Sequence, residues 1–372
     1  MSNTMRKKID QILSNTGVSI NGPEPWDIQV KDERLYAHIF AKGTLGFGEA
    51  YMDGWWECKQ IDEMIARLLR HDIRSKLKPS IALVWNAVSA RLQNRQGPGR
   101  AFNIGKAHYD LGNDLYKAML DNSMTYTCGY WKDASTLDDA QEAKLDLVCK
   151  KIGLKHGDSV LDIGCGWGSF AKFAAEKYKA KVLGVTVSKE QIKLGQGLCR
   201  GLPVELRLQD YRKISGSFDH IVSLGMFEHV GYKNYRIFFE VVRRCLKDNG
   251  LFLLHTIGGN RSVHSTDPWI GKYIFPNSML PSASQIASAT EGLFVMEDWH
   301  NFGSDYDKTL MAWHSNFEKN WGSLMAHYDE RFHRMWQYYL LSCAGSFRAR
   351  QNQLWQIVYS KNGIINGYNS VR

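Results

Sequence analysis

Val160-Leu-Asp-Ile-Gly-Cys-Gly-Trp-Gly168 is the stretch on which the fold turns. An apolar strand runs into Gly164, Gly166 and Gly168, and a helix-compatible run starts near Phe170. Glycines spaced G-x-G-x-G between strand and helix point to a tight turn whose backbone approaches a ligand with no Cβ in the way. The helix that follows offers free N–H groups to an anionic end. A dinucleotide site would carry its third glycine one position later, where Ser169 stands. It would also carry an acid about 20 residues on, where Thr186-Val-Ser188 stands. Both departures argue against a nicotinamide cofactor.

Working outward, strands and helices alternate. The strand candidates are Ser159–Ile163, Val182–Val187, Val204–Gln209, His220–Leu224, Leu251–Thr256, Phe294–Asn301 and Leu354–Tyr359. Alternation of this kind builds a mostly parallel sheet covered on both faces. Seven strands match the α/β, Rossmann-like sheet of class I S-adenosylmethionine-dependent methyltransferases, whose last strand is antiparallel. In that frame the helix N-terminus takes the methionine carboxylate. Asp162, at the strand end, accepts from the amino group, and Asp210, ending the third strand, from the adenine amine.

The first 92 residues have a different texture. Asp27–Val30 suits a short strand, and Leu45-Gly-Phe-Gly-Glu-Ala-Tyr-Met-Asp-Gly-Trp-Trp56 mixes glycine with aromatics. Ile81, Val84, Trp85, Val88 and Leu92 recur at helical spacing, and Gln93–Arg100 reads as a linker. The expected division is a smaller, mainly helical α+β domain over residues 1–100, for lipid docking or dimerisation, and a catalytic domain over residues 101–372.

Charge sharpens this division. The chain of 372 residues carries a net charge of +9, and Arg67, Arg70, Arg74, Lys76, Lys78, Arg91, Arg95, Arg100 and Lys106 face a single acid, Asp72, in their stretch. Such an excess calls for a polyanionic partner. Trp85 and its apolar neighbours beside these cations have the composition of an interfacial helix, which favours an anionic membrane surface over nucleic acid. No 18-residue apolar run spans a membrane. The opening residues lack a signal-peptide core. Seven cysteines without a Cys-x-x-Cys pair suit a reduced, cytoplasmic protein held peripherally at the inner face of the cell membrane.

Taken together, Gly46-Phe-Gly-Glu-Ala-Tyr-Met-Asp-Gly-Trp-Trp-Glu57, Thr125-Tyr-Thr-Cys-Gly-Tyr-Trp131, Gly225-Met-Phe-Glu-His-Val-Gly231, His255-Thr-Ile-Gly258 and Asp298-Trp-His-Asn-Phe-Gly-Ser-Asp-Tyr306 resemble the bacterial cyclopropane-fatty-acyl-phospholipid synthases, relatives of the mycolic acid cyclopropane synthases. The resemblance spans nearly the whole chain. It implies an S-adenosylmethionine pocket at Tyr126, Thr127, Asp162, Gly164, Cys165, Gly166, Trp167, Gly168, Thr186, Ser188, Gln191, Asp210 and Tyr211. It implies a bicarbonate ion held by Cys128, Glu228, His255, the backbone of Ile257, and Tyr306. It also implies a homodimer acting on unsaturated phospholipid. Cys343 occupies a position treated as an active-site cysteine in that family, although the chemistry needs no covalent thiol.

That chemistry explains the residue types. An isolated alkene is a poor nucleophile, so the sulfonium methyl must be held in line with the π bond, an orientation worth roughly 7–11 kcal/mol. The π electrons form the new C–C bond as the C–S bond breaks, leaving a carbocation that closes to a ring when the new methyl loses a proton. Glu228 would accept from the bicarbonate hydroxyl, and His255 and Tyr306 would orient the ion. Three other readings differ from this one. Branch methylation would omit ring closure. An RNA methyltransferase would be expected to carry an Asn/Asp-Pro-Pro-Tyr motif. A non-catalytic lipid binder would not need the full ligand set.

Overall fold

Two short strands, β1 (Gln29–Val30) and β2 (Trp56–Glu57), pair antiparallel near the start of the chain, among the helices Ser2–Leu13, Arg34–Lys42, Thr44–Met52 and Ile61–Arg70. The computed structural model describes residues 2–71, 73 and 112–372. The expected helix over residues 81–92, the linker and the basic stretch from Arg74 to Lys106 lie outside these. The chain divides into two compact units that do not follow a cut at residue 100, because His264–Pro276 and Tyr306–Asn352 cluster with the N-terminal helices.

In this first unit, helix Glu330–Arg348 buries Trp336, Tyr338, Leu340, Ala344 and Phe347. It packs on Ile61–Arg70 and Thr44–Met52. Trp56 stacks on Phe47 at 4.3 Å, and Tyr338 meets Trp269 edge-on at 4.7 Å. The aromatic stretch of the sequence is therefore core. Arg348 reaches Asp62 at 2.7 Å and Asp307 at 2.9 Å, and Arg334 lies 4.1 Å over Tyr51. Among the described residues no helix is long and apolar enough to cross a membrane.

The second unit holds the sheet. Its strands are β3 (Ser159–Ile163), β4 (Lys181–Thr186), β5 (Val204–Leu208), β6 (Phe218–Leu224), β7 (Leu246–Gly259), β8 (Val295–Asn301) and β9 (Asn352–Ser360), in the order β5-β4-β3-β6-β7-β9-β8. The pairs β3–β4, β4–β5, β3–β6 and β6–β7 are parallel, and β8–β9 is antiparallel. This is the class I methyltransferase sheet expected from the sequence.

Successive strand residues face opposite sides, so both faces need cover. Val160 joins a core with Leu145, Val148 and Phe170 from helices Leu137–Lys151 and Ser169–Tyr178. Leu161 joins the other core, with Phe238, Phe239 and Val242 of helix Tyr235–Cys245. A capping box between Thr136 and Asp139 starts helix Leu137–Lys151. Winding leaves β3 in one direction and resumes at β6 on its other side, which opens a crevice at their carboxyl ends.

Close packing fixes where β7 lies. A side chain on the buried Gly258 would run into the ring of Trp355 on β9. Gly258→Ala should therefore lower stability by about 1–3 kcal/mol, read as a reduced urea midpoint, and an unchanged midpoint would show that the ring moves aside freely.

Candidate active site

The crevice between β3 and β6 is a cavity walled by the turn after β3, the end of β4 and the loops after β5 and β6. Gly164 takes φ +84° beneath Met226, and Gly168 takes the left-handed conformation that starts helix Ser169–Tyr178. Tyr126, Thr127, Asp162, Gly164, Cys165, Gly166, Trp167, Thr186, Gln191, Asp210 and Tyr211 all line this cavity. Gly168 and Ser188 sit behind the wall. Ser188 caps helix Lys189–Leu198 by accepting from Gln191 N at 3.3 Å, while Thr186 Oγ1 donates to Gln191 Oε1 at 2.8 Å. Trp167 donates to Asn113 Oδ1 at 3.1 Å and packs on Tyr116, which in turn packs on Tyr126.

Electrostatics make the cavity a receptor for a zwitterion. Asp162 is buried, and burial raises its carboxyl to about 7 against the pull of Lys144. Lys144 lies wholly inside, donates to Thr127 Oγ1 at 2.8 Å, and is lowered to about 8 by burial. Gln141 donates to Thr127 O at 2.7 Å. A carboxylate in the wall, glycine backbone at a helix start and Asp210 at the far end fit an aminoacyl nucleoside. Asp210 is already committed to Arg212, whose Nε lies at 2.9 Å and whose N–H it caps at 3.0 Å. Any adenine contact must share that carboxylate. Sequence reasoning missed Lys144 and Gln141, because polar residues inside an ordinary helix read as its solvated face.

A second polar centre lies at the carboxyl end of β7. Glu228 Oε1 accepts from Ile257 N at 2.6 Å, and its Oε2 is buried without a partner. Burial raises Glu228 to about 7. His255 faces Gln356 Nε2 through Nδ1 at 3.3 Å, and its Nε2 is buried without a partner. Burial, with Lys144 and Lys151 adding positive charge, holds His255 well below its usual range, so the ring is neutral. With the Gln356 amide taken as donor, the ring proton sits on Nε2. A buried orphan acceptor and a buried orphan donor fit a small oxyanion that both accepts and donates. Cys128 is buried and donates to Gly129 O at 3.1 Å.

The remaining candidates belong to the first unit. Tyr306 packs on Phe347 at 4.6 Å and on Trp313. Cys343, on helix Glu330–Arg348, has its thiol pushed up to about 12 by burial, which leaves it protonated and a poor nucleophile.

A family model described as mycolic acid cyclopropane synthetase matches residues 97–357. The chain is 52% identical over 363 residues to the cyclopropane-fatty-acyl-phospholipid synthase of Escherichia coli (strain K12), covering 98% of this chain and 95% of that protein. It is 39% identical to a probable fatty acid methyltransferase of Pseudomonas putida, covering 91% and 88%. Among solved structures, the cyclopropane synthase MmaA2 from Mycobacterium tuberculosis matches with TM-score 0.66 at 30% identity, covering 70% of this chain and 98% of that one. The mycolic acid cyclopropane synthase CmaA1, complexed with SAH and CTAB, matches with TM-score 0.65 at 33% identity over the same shares.

The raised pKa of Glu228 carries a stability signature. The unfolded carboxyl ionises near 4.5 and the folded one near 7, so the fold binds this proton more tightly. Its contribution is complete below the unfolded value and is lost as pH rises through the folded one. Glu228→Gln should gain stability relative to the parent between about pH 5 and about pH 8, by on the order of 3 kcal/mol. Parallel chemical denaturation curves for the two proteins at both ends of that window test this, and curves that keep a constant separation would place the titration elsewhere.

Proposed function

This chain belongs to the mycolic acid cyclopropane synthetase family and is an S-adenosylmethionine-dependent methyltransferase, and from that premise we propose that it adds a methylene across the cis double bond of unsaturated acyl chains in membrane phospholipids, forming a cyclopropane ring. The observation that carries the proposal is that Glu228 Oε2 and His255 Nε2 are both buried without a partner, on segments tied by the hydrogen bond from Ile257 N to Glu228 Oε1. Ring closure needs a base beside a cationic centre in an apolar pocket; branch methylation leaves the same cation, which must also lose a proton, so the product and not the base separates the two readings.

When bound, S-adenosylmethionine supplies the methyl group and bicarbonate the proton acceptor. The chain's own residues orient both. Asp162 takes the ammonium end of the cofactor, while Thr127, fixed by Lys144 and Gln141, shapes the wall. Ile257 N holds Glu228 Oε1 in place, which leaves Oε2 to accept from the hydroxyl of the ion. His255 donates from Nε2 to an oxyanion oxygen, and Cys128 joins the ligand set. Cys343 has no direct role. A second reading, branch methylation without ring closure, is favoured by the similarity to a probable fatty acid methyltransferase.

Incubation with unsaturated phospholipid vesicles and labelled cofactor should give a lipid one CH2 heavier, with cyclopropane protons in its NMR spectrum and the double bond gone. A product that keeps its double bond would establish the second reading. Glu228→Gln should lower turnover by roughly 10²–10⁴ while S-adenosylhomocysteine affinity stays within a few fold. Degassed, bicarbonate-free assays should be slow and recover when bicarbonate is added. Indifference to depletion would remove the ion from the mechanism.

Residues 1–100 serve membrane docking or dimerisation in this proposal, and the enzyme works as a homodimer on the cytoplasmic face. Replacing Arg74, Lys76 and Lys78 together by Gln should weaken binding to anionic vesicles, each cation being worth about 1 kcal/mol, and the difference should shrink as salt rises. Equal binding by parent and variant at every salt concentration would move the docking surface elsewhere.

A further inference from the structure

The segment Asp298-Trp-His300 has no part in the chemistry above, yet it meets a wholly buried lysine. Lys151, last residue of helix Leu137–Lys151, has no exposed side-chain surface. Its Nζ lies 3.0 Å from His300 Nδ1 and 3.8 Å from Asp298 Oδ2. The shorter contact is a hydrogen bond to an imidazole, which burial keeps neutral. The longer one is an ion pair without a hydrogen bond. The Asp298 carboxylate is taken instead by Arg372, with Nη1 on Oδ2 and Nη2 on Oδ1, both at 2.6 Å, and by Ser370 Oγ at 2.9 Å. Tyr368 donates to Lys151 O at 2.8 Å. Two cations therefore share one carboxylate, and because burial lowers Lys151 to about 7, one positive charge is left over in this buried place only while the pH stays below that value.

That charge faces the candidate centre through rings. His300 lies 4.9 Å from Phe302, and Phe302 lies 6.0 Å from His255. Tyr130 closes the same cluster edge-on, 5.8 Å from His300 and 5.3 Å from Phe302. Aromatic packing leaves little room for the water that would screen the field. Lys144 approaches from the cofactor side, and both lysines act in the direction of keeping His255 neutral.

We infer that Lys151, balanced by Asp298 against Arg372, sets the positive potential that draws a small monovalent oxyanion to His255 and Glu228, an inference that rests on the bicarbonate reading above. Lys151 touches no reacting atom in this arrangement. It is a positioning residue that acts through the field, and Asp298 and Arg372 trim its strength.

The test uses the sign of charge. Bicarbonate affinity is measured on the full chain saturated with S-adenosylhomocysteine, by thermal-shift titration, and again as the bicarbonate dependence of turnover. Lys151→Met should weaken affinity roughly three- to twentyfold. Arg372→Gln, at a partly exposed side chain, should weaken it less, because Asp298 is then free to neutralise Lys151. Asp298→Asn should tighten it when the titration is run below pH 7, where Lys151 keeps its proton. A merely structural role would weaken affinity in all three, and that outcome, or three unchanged constants, overturns the inference. Arg372→Gln and Asp298→Asn decide the question by their opposite directions even if Lys151→Met does not fold. Wild-type protein that neither binds bicarbonate nor responds to its depletion would bring down the base reading and this one together. Wild-type binding with three indifferent variants would bring down this one alone.

Discussion

A parallel sheet that reverses its winding between β3 and β6 has to leave its strand ends uncovered there, and the rest of the molecule is organised around that opening. Strands β3, β4 and β6 end at the cavity, so Asp162, Thr186 and Gly225 reach it from three neighbouring strands and their turns. The register of β7 against β6 sets Leu224 beside His255. The hydrogen bond from Ile257 N to Glu228 Oε1 then ties the loop after β6 to the end of β7. A shift of one residue in that pairing would turn His255 to the other face of the sheet.

Burial does the electrostatic tuning in this region. Asp162 and Glu228 are raised to about 7, while Lys144 and Lys151 fall to about 8 and about 7. Acids and bases that are far apart in water are thus brought close together near neutrality, where small changes in neighbouring charge shift protons. The cost falls on folding stability, because each group is held away from the ionisation it prefers in water. Functional centres commonly carry such a cost.

Much of this architecture was legible in the sequence. Central strand β3 is an apolar run ending in glycines, and every strand of the large sheet except β7 lies within two residues of the limits read from the sequence. The start of β7 was hidden, because Lys247-Asp-Asn-Gly250 looks like a loop, while Leu246 pairs with Phe218 across an irregularity in the ladder. The stretch Leu45–Trp56 mixes glycine with aromatics, and Thr44–Met52 is helical nonetheless, since packing against Trp269 and Tyr338 outweighs propensity. Lys144 and Lys151 were illegible for another reason. Helix Leu137–Lys151 is buried on several sides, so no clean apolar stripe marks which of its polar residues face inward.

The first compact unit is assembled from three separate pieces of chain, the last ending at Asn352. During synthesis the helices Thr44–Met52 and Ile61–Arg70 emerge long before helix Glu330–Arg348, on which they pack. At about 5–20 residues per second, the aromatic surface of Phe47, Tyr51 and Trp56 stands without its partner for on the order of tens of seconds. A newly made chain therefore has an interval in which this aromatic surface is open. The sheet, whose first five strands are complete by Gly259, can form well before that interval closes.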